Sequence, residues 1–263
     1  MKMNLYSKTI IAALTACLSL SSSALAQNER DNNLIKSGLK GWEFELKAGV
    51  NLGGASPLPL PREIRKIKSF SPKFNGTLEG TATYWLTDEK WGLSAGLKLE
   101  NRGMETGAEV KNYHTKVVKG DQTVEGYFTG YNRTRYSAAY LTLPIMANYR
   151  LGERWKVRAG LSCSVLLDGS FDGYVKDGVL RNGTPIGERV TFRDDSRGTF
   201  DFGDELKPFQ WGAVIGGSWR AYKHFSVMAD LNWGFGDIFK GSFKTISFSL
   251  HPIFCDLGFS YTF

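Results

Sequence analysis

Apolar and polar residues alternate strictly along the last stretch of the chain, from Ile253 to Phe263. The odd-numbered positions are apolar or aromatic, and the even-numbered positions after Phe254 are small or polar. This period of two predicts a β-strand with one apolar face. The strand ends on an aromatic residue, which suits the aromatic girdle of a transmembrane barrel.

Seven earlier segments show the same alternation and are not helical, because their apolar positions lack spacings of three and four residues. The eighth strand is predicted from Phe243 onward, with a phase slip near His251 and Pro252 that a β-bulge would supply. The seven earlier strands are predicted at 42–52, 72–86, 91–99, 139–151, 155–167, 209–219 and 225–233.

The connections between these strands alternate in length. Short polar turns follow the second, fourth and sixth strands, and longer polar connections occupy 53–71, 102–135, 169–208 and 236–242. Outer-membrane barrels sort their connections in this way, with short turns on the periplasmic side and long loops outside. The pattern therefore predicts an all-β fold, an eight-stranded antiparallel up-and-down transmembrane β-barrel with short periplasmic turns and long extracellular loops.

The first residues have the features of a secretory signal. Lys2 and Lys8 precede an apolar stretch from Ile10 to Leu20, and Ala24-Leu25-Ala26 forms a small-x-small cleavage site. As an alternative, Leu14-Thr15-Ala16-Cys17 resembles a lipoprotein cleavage box, and cleavage there would leave Cys17 to carry a lipid anchor. The predicted organisation is a signal peptide at 1–26, a polar lead at 27–41 and an outer-membrane β-barrel at 42–263.

Composition narrows the function classes. The formal net charge of the full chain is +7, a mildly basic balance that permits contact with lipid phosphates and does not require nucleic acid. After the predicted signal, only Cys163 and Cys255 remain, so no disulfide framework is expected. No apolar run of the mature chain reaches the length of a transmembrane helix.

The polar faces of the predicted strands carry charges of both signs. An eight-stranded barrel has an interior that side chains can fill, and unpaired charges inside it would be costly. We therefore expect an interlocked network that closes the lumen, with a narrow solute path as the alternative. Pro144 falls on this face, where a local bulge is expected. The predicted lumen charge network comprises Glu43, Glu45, Lys47, Glu79, Lys98, Glu100, Arg150, Lys156, Arg158, Arg220 and Asp230.

The third connection is basic and aromatic, so it is a candidate surface for lipopolysaccharide phosphates, a glycan or a host protein. Its residues are Lys111, His114, Lys116, Lys119, Arg133 and Arg135 with Tyr113, Tyr127, Tyr131 and Tyr136. A solvated, solubilising surface is the alternative interpretation.

Two other candidate sites are weak. The acidic residues between Asp194 and Glu205 do not have the spacing of a calcium loop, so no metal site is predicted. His251 lies near Ser247 and Ser249 but lacks the third member of a triad. No catalytic residue and no cofactor are predicted.

The segment from Tyr140 to Ile145, continuing to Asn148-Tyr149, and the segment from Gly49 to Gly54 resemble the PorT-like outer-membrane β-barrel family of Bacteroidetes. The resemblance covers essentially all of the mature chain. It implies an outer-membrane barrel of the porin family without established enzyme activity. It also implies that the closing strand, with Phe259, Tyr261 and Phe263, acts as an assembly signal for the barrel-insertion machinery.

The expected function is a non-enzymatic structural or surface-binding barrel in the bacterial outer membrane, in contact with outer-membrane lipid and lipopolysaccharide. The alternatives are a narrow porin or secretion-associated barrel, a soluble periplasmic lipocalin-like carrier, and an outer-membrane lipid-modifying enzyme. An extracellular ligand is compatible with the sequence and is not identified by it.

Overall fold

The computed structural model describes residues 40–87, 90–120 and 122–263. The chain divides into two units, Met1–Trp42 and Glu43–Phe263, and the second unit contains nearly all of the described residues. The predicted signal peptide, Cys17 and the polar lead up to residue 39 lie outside the described residues. Within the described ranges, no helix is long and apolar enough to cross a membrane.

The described residues form eleven β-strands and one short 3-10 helix, Gly203–Glu205. The strands are β1 (Trp42–Pro57), β2 (Ile64–Pro72), β3 (Gly76–Trp85), β4 (Trp91–Lys119), β5 (Gln122–Leu151), β6 (Trp155–Asn182), β7 (Arg189–Phe192), β8 (Gly198–Asp201), β9 (Phe209–Tyr222), β10 (Phe225–Gly234) and β11 (Leu250–Thr262).

All strands belong to one sheet, in the order β2-β4-β3-β1-β11-β10-β9-β6-β5. An additional antiparallel pairing joins β4 to β5, and the short strands β7 and β8 pair with β6. The strand pairings of the described residues are antiparallel, so the predicted all-β antiparallel up-and-down architecture is confirmed. The structure has eleven strands where the sequence predicted eight.

Three short connections lie at one end of the sheet, which we call the turn end. They join β3 to β4, β5 to β6 and β9 to β10. The turn after β5 contains Gly152 at a φ of +70°, and a Cβ built there meets no atom within 4 Å. Glycine is therefore required at this turn by its backbone conformation and not by lack of space.

Replacing Gly152 with alanine should lower the free energy of unfolding by about 1 kcal/mol, the cost of a left-handed residue with a Cβ. Gly76 is a matched control, because a Cβ added there also meets open space but the residue has no left-handed φ. Chemical denaturation of both variants checks the prediction. Equal stability of the Gly152 variant and the wild type would contradict it.

The opposite end of the sheet differs from the prediction, and we call it the extended end. The segments 102–135 and 169–208 were predicted as long loops, but β4, β5 and β6 run far into them and the β4-β5 connection is tight. The predicted loop 53–71 likewise contains the end of β1 and most of β2. These segments are polar on one face only, because their buried positions alternate with the polar ones.

The extended end encloses an apolar core. β8 pairs with β6 along four residues, and its Thr199 pairs with Val118 of β4. β8 therefore joins the outer parts of the long strands β4 and β6. Phe171 lies 4.8 Å from the ring of Phe239, which belongs to the connection between β10 and β11. Burial raises the pKa of Tyr113, so its phenol stays protonated. The core includes Met104, Tyr113, Val117, Phe128, Tyr136, Phe171, Val175, Leu180, Phe192, Phe200, Ile238 and Phe239.

The final strand also differs from the prediction. β11 begins at Leu250, and its pairing with β1 runs without a register shift from Leu250 to Thr262. The predicted bulge near His251 and Pro252 was wrong. Leu250 and Phe254 are apolar because they face the buried core of the extended end, so the strand keeps one phase while its inner face changes from polar to apolar.

The bulge predicted at Pro144 is also absent. Pro144 is buried, as its position on the inner face predicted. It pairs with Ser162 of β6, and the β4-β5 ladder has the same register on both sides of it, at Ala95 with Ile145 and at Lys98 with Thr142. The ladder only omits its pairs beside the proline, because proline has no N–H to donate.

Candidate functional site: the charged interior

An apolar band covers the outside of the sheet in the half nearer the turn end. Large outward side chains such as Leu93, Ile145, Leu161, Ile215 and Leu231 are 46 to 61 % exposed. On β4 the band begins at Trp91 and reaches Leu97, and on β5 it covers Leu141 to Leu151. A transmembrane β-strand needs about 9–11 residues, and the band on β5 has this length, from Leu141 to Leu151. The alternate side chains on these strands point inward and are mostly polar.

The interior nearest the turn end contains a cluster around Glu43. Its carboxylate contacts the Arg150 guanidinium at 2.7 Å and the Lys156 ammonium at 3.0 Å. Lys156 also contacts Glu45 at 2.9 Å. The Trp85 indole donates to Glu43 at 3.1 Å, and the Arg150 guanidinium lies 3.7 Å from the centre of the Trp85 ring. These contacts tie β1, β3, β5 and β6 together across the interior.

Two ion pairs occupy the middle of the interior. Lys47 contacts Glu79 at 2.7 Å, and Thr81 donates to the same carboxylate at 2.7 Å. Arg158 makes a bidentate contact with Asp230, with both nitrogen-to-oxygen distances at 2.7 Å. All four charged side chains are buried. Bidentate arginine contacts hold both partners in a fixed geometry.

A third cluster, centred on Glu100, lies nearest the extended end. The Glu100 carboxylate contacts Arg102 at 2.7 Å and Lys98 at 3.2 Å, and Thr142 donates to it at 2.7 Å. Lys98 also contacts Asp256 at 2.6 Å. Glu100 therefore links β4 to β5, and Lys98 links β4 to β11.

The interior charges are balanced. Six carboxylates and six cations take part in the three groups of contacts, which avoids an uncompensated buried charge. The carboxylates are Glu43, Glu45, Glu79, Glu100, Asp230 and Asp256, and the cations are Lys47, Lys98, Arg102, Arg150, Lys156 and Arg158.

Ten of the eleven residues predicted for the lumen take part in these ion pairs. The exception is Arg220, whose side chain is exposed at the turn end, beside a void of about 30 Å³ near Glu43. Sequence reasoning missed Arg102 and Asp256. Arg102 is on the same face of its strand as Lys98 and Glu100. A longer predicted third strand would have placed it in the lumen network. Asp256 already lay on the polar face of the final strand.

The charged interior ends where the apolar core begins. The Arg102 guanidinium lies 4.7 Å from the centre of the Tyr140 ring and 5.8 Å from that of Phe254. Tyr140 and Tyr136 share a hydrogen bond of 3.0 Å between their hydroxyl groups. The void next to Arg102 has a volume of about 10 Å³, about enough for one water molecule. The two parts of the interior meet with almost no free space.

The structure divides the basic and aromatic residues of the predicted third connection. Tyr113 and Tyr136 are buried in the core. Lys111, Tyr131 and Arg133 line an outward-facing hollow. The other candidates of the third connection do not line this hollow, and the His114 ring lies 5.1 Å from that of Tyr127.

The other weak candidates gain little from the structure. Asp194 contacts Lys176 at 2.8 Å and Arg197 at 2.7 Å, and no group of three metal-ligating side chains occurs in the described ranges. His251 stands opposite Ser56 in the β1-β11 register. At the closing strand, Phe259 and Phe263 are largely exposed, and the Tyr261 ring contacts those of Phe225 and Phe263.

An apolar outer band of bilayer height around a balanced, charged interior defines the class of outer-membrane β-barrel proteins. The family model described as the outer membrane protein beta-barrel domain matches residues 25–240. The chain belongs to this family, which points to the bacterial outer membrane as its location. No curated protein matches the chain.

Solved structures give weaker likenesses. The attachment invasion locus protein Ail of Yersinia pestis is 8% identical, with 84% of this chain and 97% of that chain covered and a TM-score of 0.36. The outer membrane protein OprG of Pseudomonas aeruginosa is 12% identical, with 84% and 95% covered and a TM-score of 0.36. Both identities are too low to indicate a shared function.

Proposed function

We propose that this protein is a non-enzymatic outer-membrane barrel with a closed lumen and a structural or surface-binding role. The observation that carries the proposal is the filled interior. Balanced ion pairs occupy the half inside the apolar band, and an apolar core occupies the extended end. Both parts use side chains from strands on opposite sides of the barrel, so they act as built-in plugs.

The membrane-spanning part, in this proposal, consists of the eight strands β1, β3, β4, β5, β6, β9, β10 and β11. Their pairings form a cycle, because β4 pairs with both β3 and β5 and β11 pairs with β1. The short turns lie in the periplasm and the extended end lies outside the cell, as in other barrels of this kind. β2, β7 and β8 then belong to the extracellular part.

Three further parts of the proposal follow from the membrane placement. Outer-membrane lipid and lipopolysaccharide contact the apolar band, and the barrel-insertion machinery recognises the closing strand with Phe259, Tyr261 and Phe263. Secretion begins with a cleaved signal peptide at 1–26. Within the family, the chain is of the PorT-like kind found in Bacteroidetes.

Conductance across a planar lipid bilayer tests the closed lumen. Purified, folded protein should produce no stable open-channel currents, since paired side chains fill the interior and the voids beside Arg102 and Glu43 are about 10 and 30 Å³. A trimeric porin in the same chamber provides the positive control. Heat-modifiable migration on a gel shows that the inserted protein is folded.

Discrete, reproducible channel openings from the folded protein would contradict the closed lumen. Recovery of the protein only from the soluble periplasm would contradict the membrane placement. Lipid A that differs in acylation between wild-type and deletion strains would contradict the non-enzymatic role.

A further inference from the structure

A hollow on the outward face of the extended end has the features of a ligand site. It is an open concavity of about 690 Å³ across β2, β4, β5 and β6. Its walls combine basic and aromatic side chains, including Arg65, Lys68, Lys111, Tyr131, Arg133 and Lys176. It lies outside both the charged interior and the apolar core.

Irregularities in three neighbouring strands shape this hollow. The β4-β5 register shifts between Val110 and Tyr113, and the β5-β6 register shifts between Thr129 and Tyr131. Asn112 and Asp177 have φ values of +55° and +48°, which are uncommon for residues other than glycine. β-Bulges bend a sheet and redirect its side chains. The irregularities occur at one level, so together they bend the sheet into a concave surface.

Tyr131 lines the hollow, and the Lys176 ammonium lies 5.7 Å from the centre of its ring. A Cβ added to Gly107 would lie 2.2 Å from the Tyr131 hydroxyl and 2.6 Å from the Ser69 hydroxyl. Only glycine at 107 therefore lets the tyrosine lie across β4. An aromatic ring combines an apolar face with a polar hydroxyl, and a sugar ring can stack on such a face while its hydroxyl groups bond to neighbouring side chains.

Positive charge exceeds negative charge in the hollow, which has five cationic and two acidic lining residues. Lys68 contacts Glu109 at 2.9 Å, and Lys176 contacts Asp194 at 2.8 Å. Arg133 is held by Glu105. In the described part of the chain, Arg65 and Lys111 form no ion pair, so both are available to an anion.

We propose that this hollow binds an anionic saccharide, with its carboxylate or phosphate groups on Arg65 and Lys111 and a sugar ring against Tyr131. Arginine and lysine both bind such anions, arginine in a bidentate manner. The positive charge in the hollow selects an acidic sugar over a neutral one.

The height of the hollow identifies the source of the saccharide. Tyr131 is about ten residues beyond the top of the apolar band on β5, which at about 3.3 Å per residue and a tilt of roughly 40° is about 25 Å. Lipid phosphates lie close to the edge of the hydrocarbon layer. The ligand is therefore a polysaccharide chain outside the leaflet and not the lipid headgroup.

Binding of a carboxylated oligosaccharide to purified protein in detergent tests the proposal. The probe is a decamer of galacturonic acid, compared with a neutral maltose-type decamer, inorganic phosphate and lipid A in micelles. We expect the acidic decamer to bind, and the double variant R65Q/K111Q to raise its Kd about tenfold, as loss of two charge-assisted contacts implies. Y131A should weaken binding independently of charge.

The matched control is K116Q/R193Q, which removes the same charge from exposed positions outside the hollow and should leave Kd unchanged. Equal losses in both double variants would overturn the proposal in favour of nonspecific charge attraction. Absence of acidic-decamer binding, or equally tight binding of the neutral decamer, would also overturn it. Tighter binding of lipid A that R65Q/K111Q weakens would overturn the assignment to a polysaccharide. The assay does not depend on lumen closure or orientation, so its failure is distinct from that of the proposed function.

Discussion

Replacing Glu100 with alanine should lower the free energy of unfolding by about 3–5 kcal/mol, the usual cost of breaking a buried ion pair. Glu100 is the only carboxylate that Arg102 contacts in the described part of the chain, and both side chains are buried. Lys98 would keep Asp256 at 2.6 Å, but Arg102 would remain inside the barrel with only neutral neighbours. Denaturant unfolding in lipid vesicles, followed by tryptophan fluorescence, measures the effect.

The control for this prediction is Glu109→Ala. Glu109 also contacts a lysine, Lys68 at 2.9 Å, but the two side chains are 49 % and 42 % exposed. Exposed pairs contribute about 0–1 kcal/mol, so the control should change little. The double variant E100A/R102A should lose less than the sum of the single losses, because it removes both charges of the pair. Similar stability of E100A and E109A would rule out the interior network as a stabilising element.

The half of the fold inside the apolar band could be predicted from sequence because every strand there obeys one rule. Outward residues are apolar, inward residues are mostly polar, and the alternation is visible in β4 from Trp91 to Leu97 and in β6 from Trp155 to Val165. The same parity identified ten interior charges. The prediction for Arg220 was wrong because alternation shows which face of a strand a residue is on but not how far it lies from the end of the barrel. An inward-facing residue at the turn end still reaches solvent.

The extended end could not be predicted in the same way because the rule is inverted there. Beyond Arg102 and Ser137 the outward residues are polar and the inward residues are apolar, so each strand changes its polarity pattern partway along. If apolar residues are expected on the outside of every strand, this change in polarity pattern is interpreted as the end of the strand. Phe254 and Leu250 produced the same error in β11, where a change of environment was interpreted as a change of phase.

The hollow is a further consequence of tertiary structure. Its aligned irregularities involve residues far apart in sequence, such as Asn112, Gly130 and Asp177. Each of them alone would be an ordinary turn signal. Only strand pairing places them at one level. The sequence therefore shows that the basic residues are present but does not show which of them share a surface.

Deleting Phe263 should reduce the amount of assembled protein in the outer membrane several-fold, and more than a deletion within an exposed turn. Phe263 is 69 % exposed, and within the folded barrel its N–H donates to the Phe44 carbonyl at 3.0 Å while its ring contacts Tyr261. These contacts are modest, so the purified variant should unfold at nearly the wild-type denaturant concentration. A large loss of assembled protein with little loss of stability indicates recognition of the closing strand during insertion.

Deletion of residues 184–186 is the comparison, because this turn after β6 includes Ile186, which is 89 % exposed, and lies far from the closing strand. Phe259→Ala tests a second outward aromatic residue on β11 and should give an intermediate loss. Immunoblots of outer-membrane fractions, with and without heating, measure the assembled protein. Equal levels of the truncated and full-length proteins would contradict the role of Phe263. If the loss of assembled protein is accompanied by a large fall in the denaturation midpoint, the defect is one of stability, because Phe263 then acts through its contacts in the folded barrel.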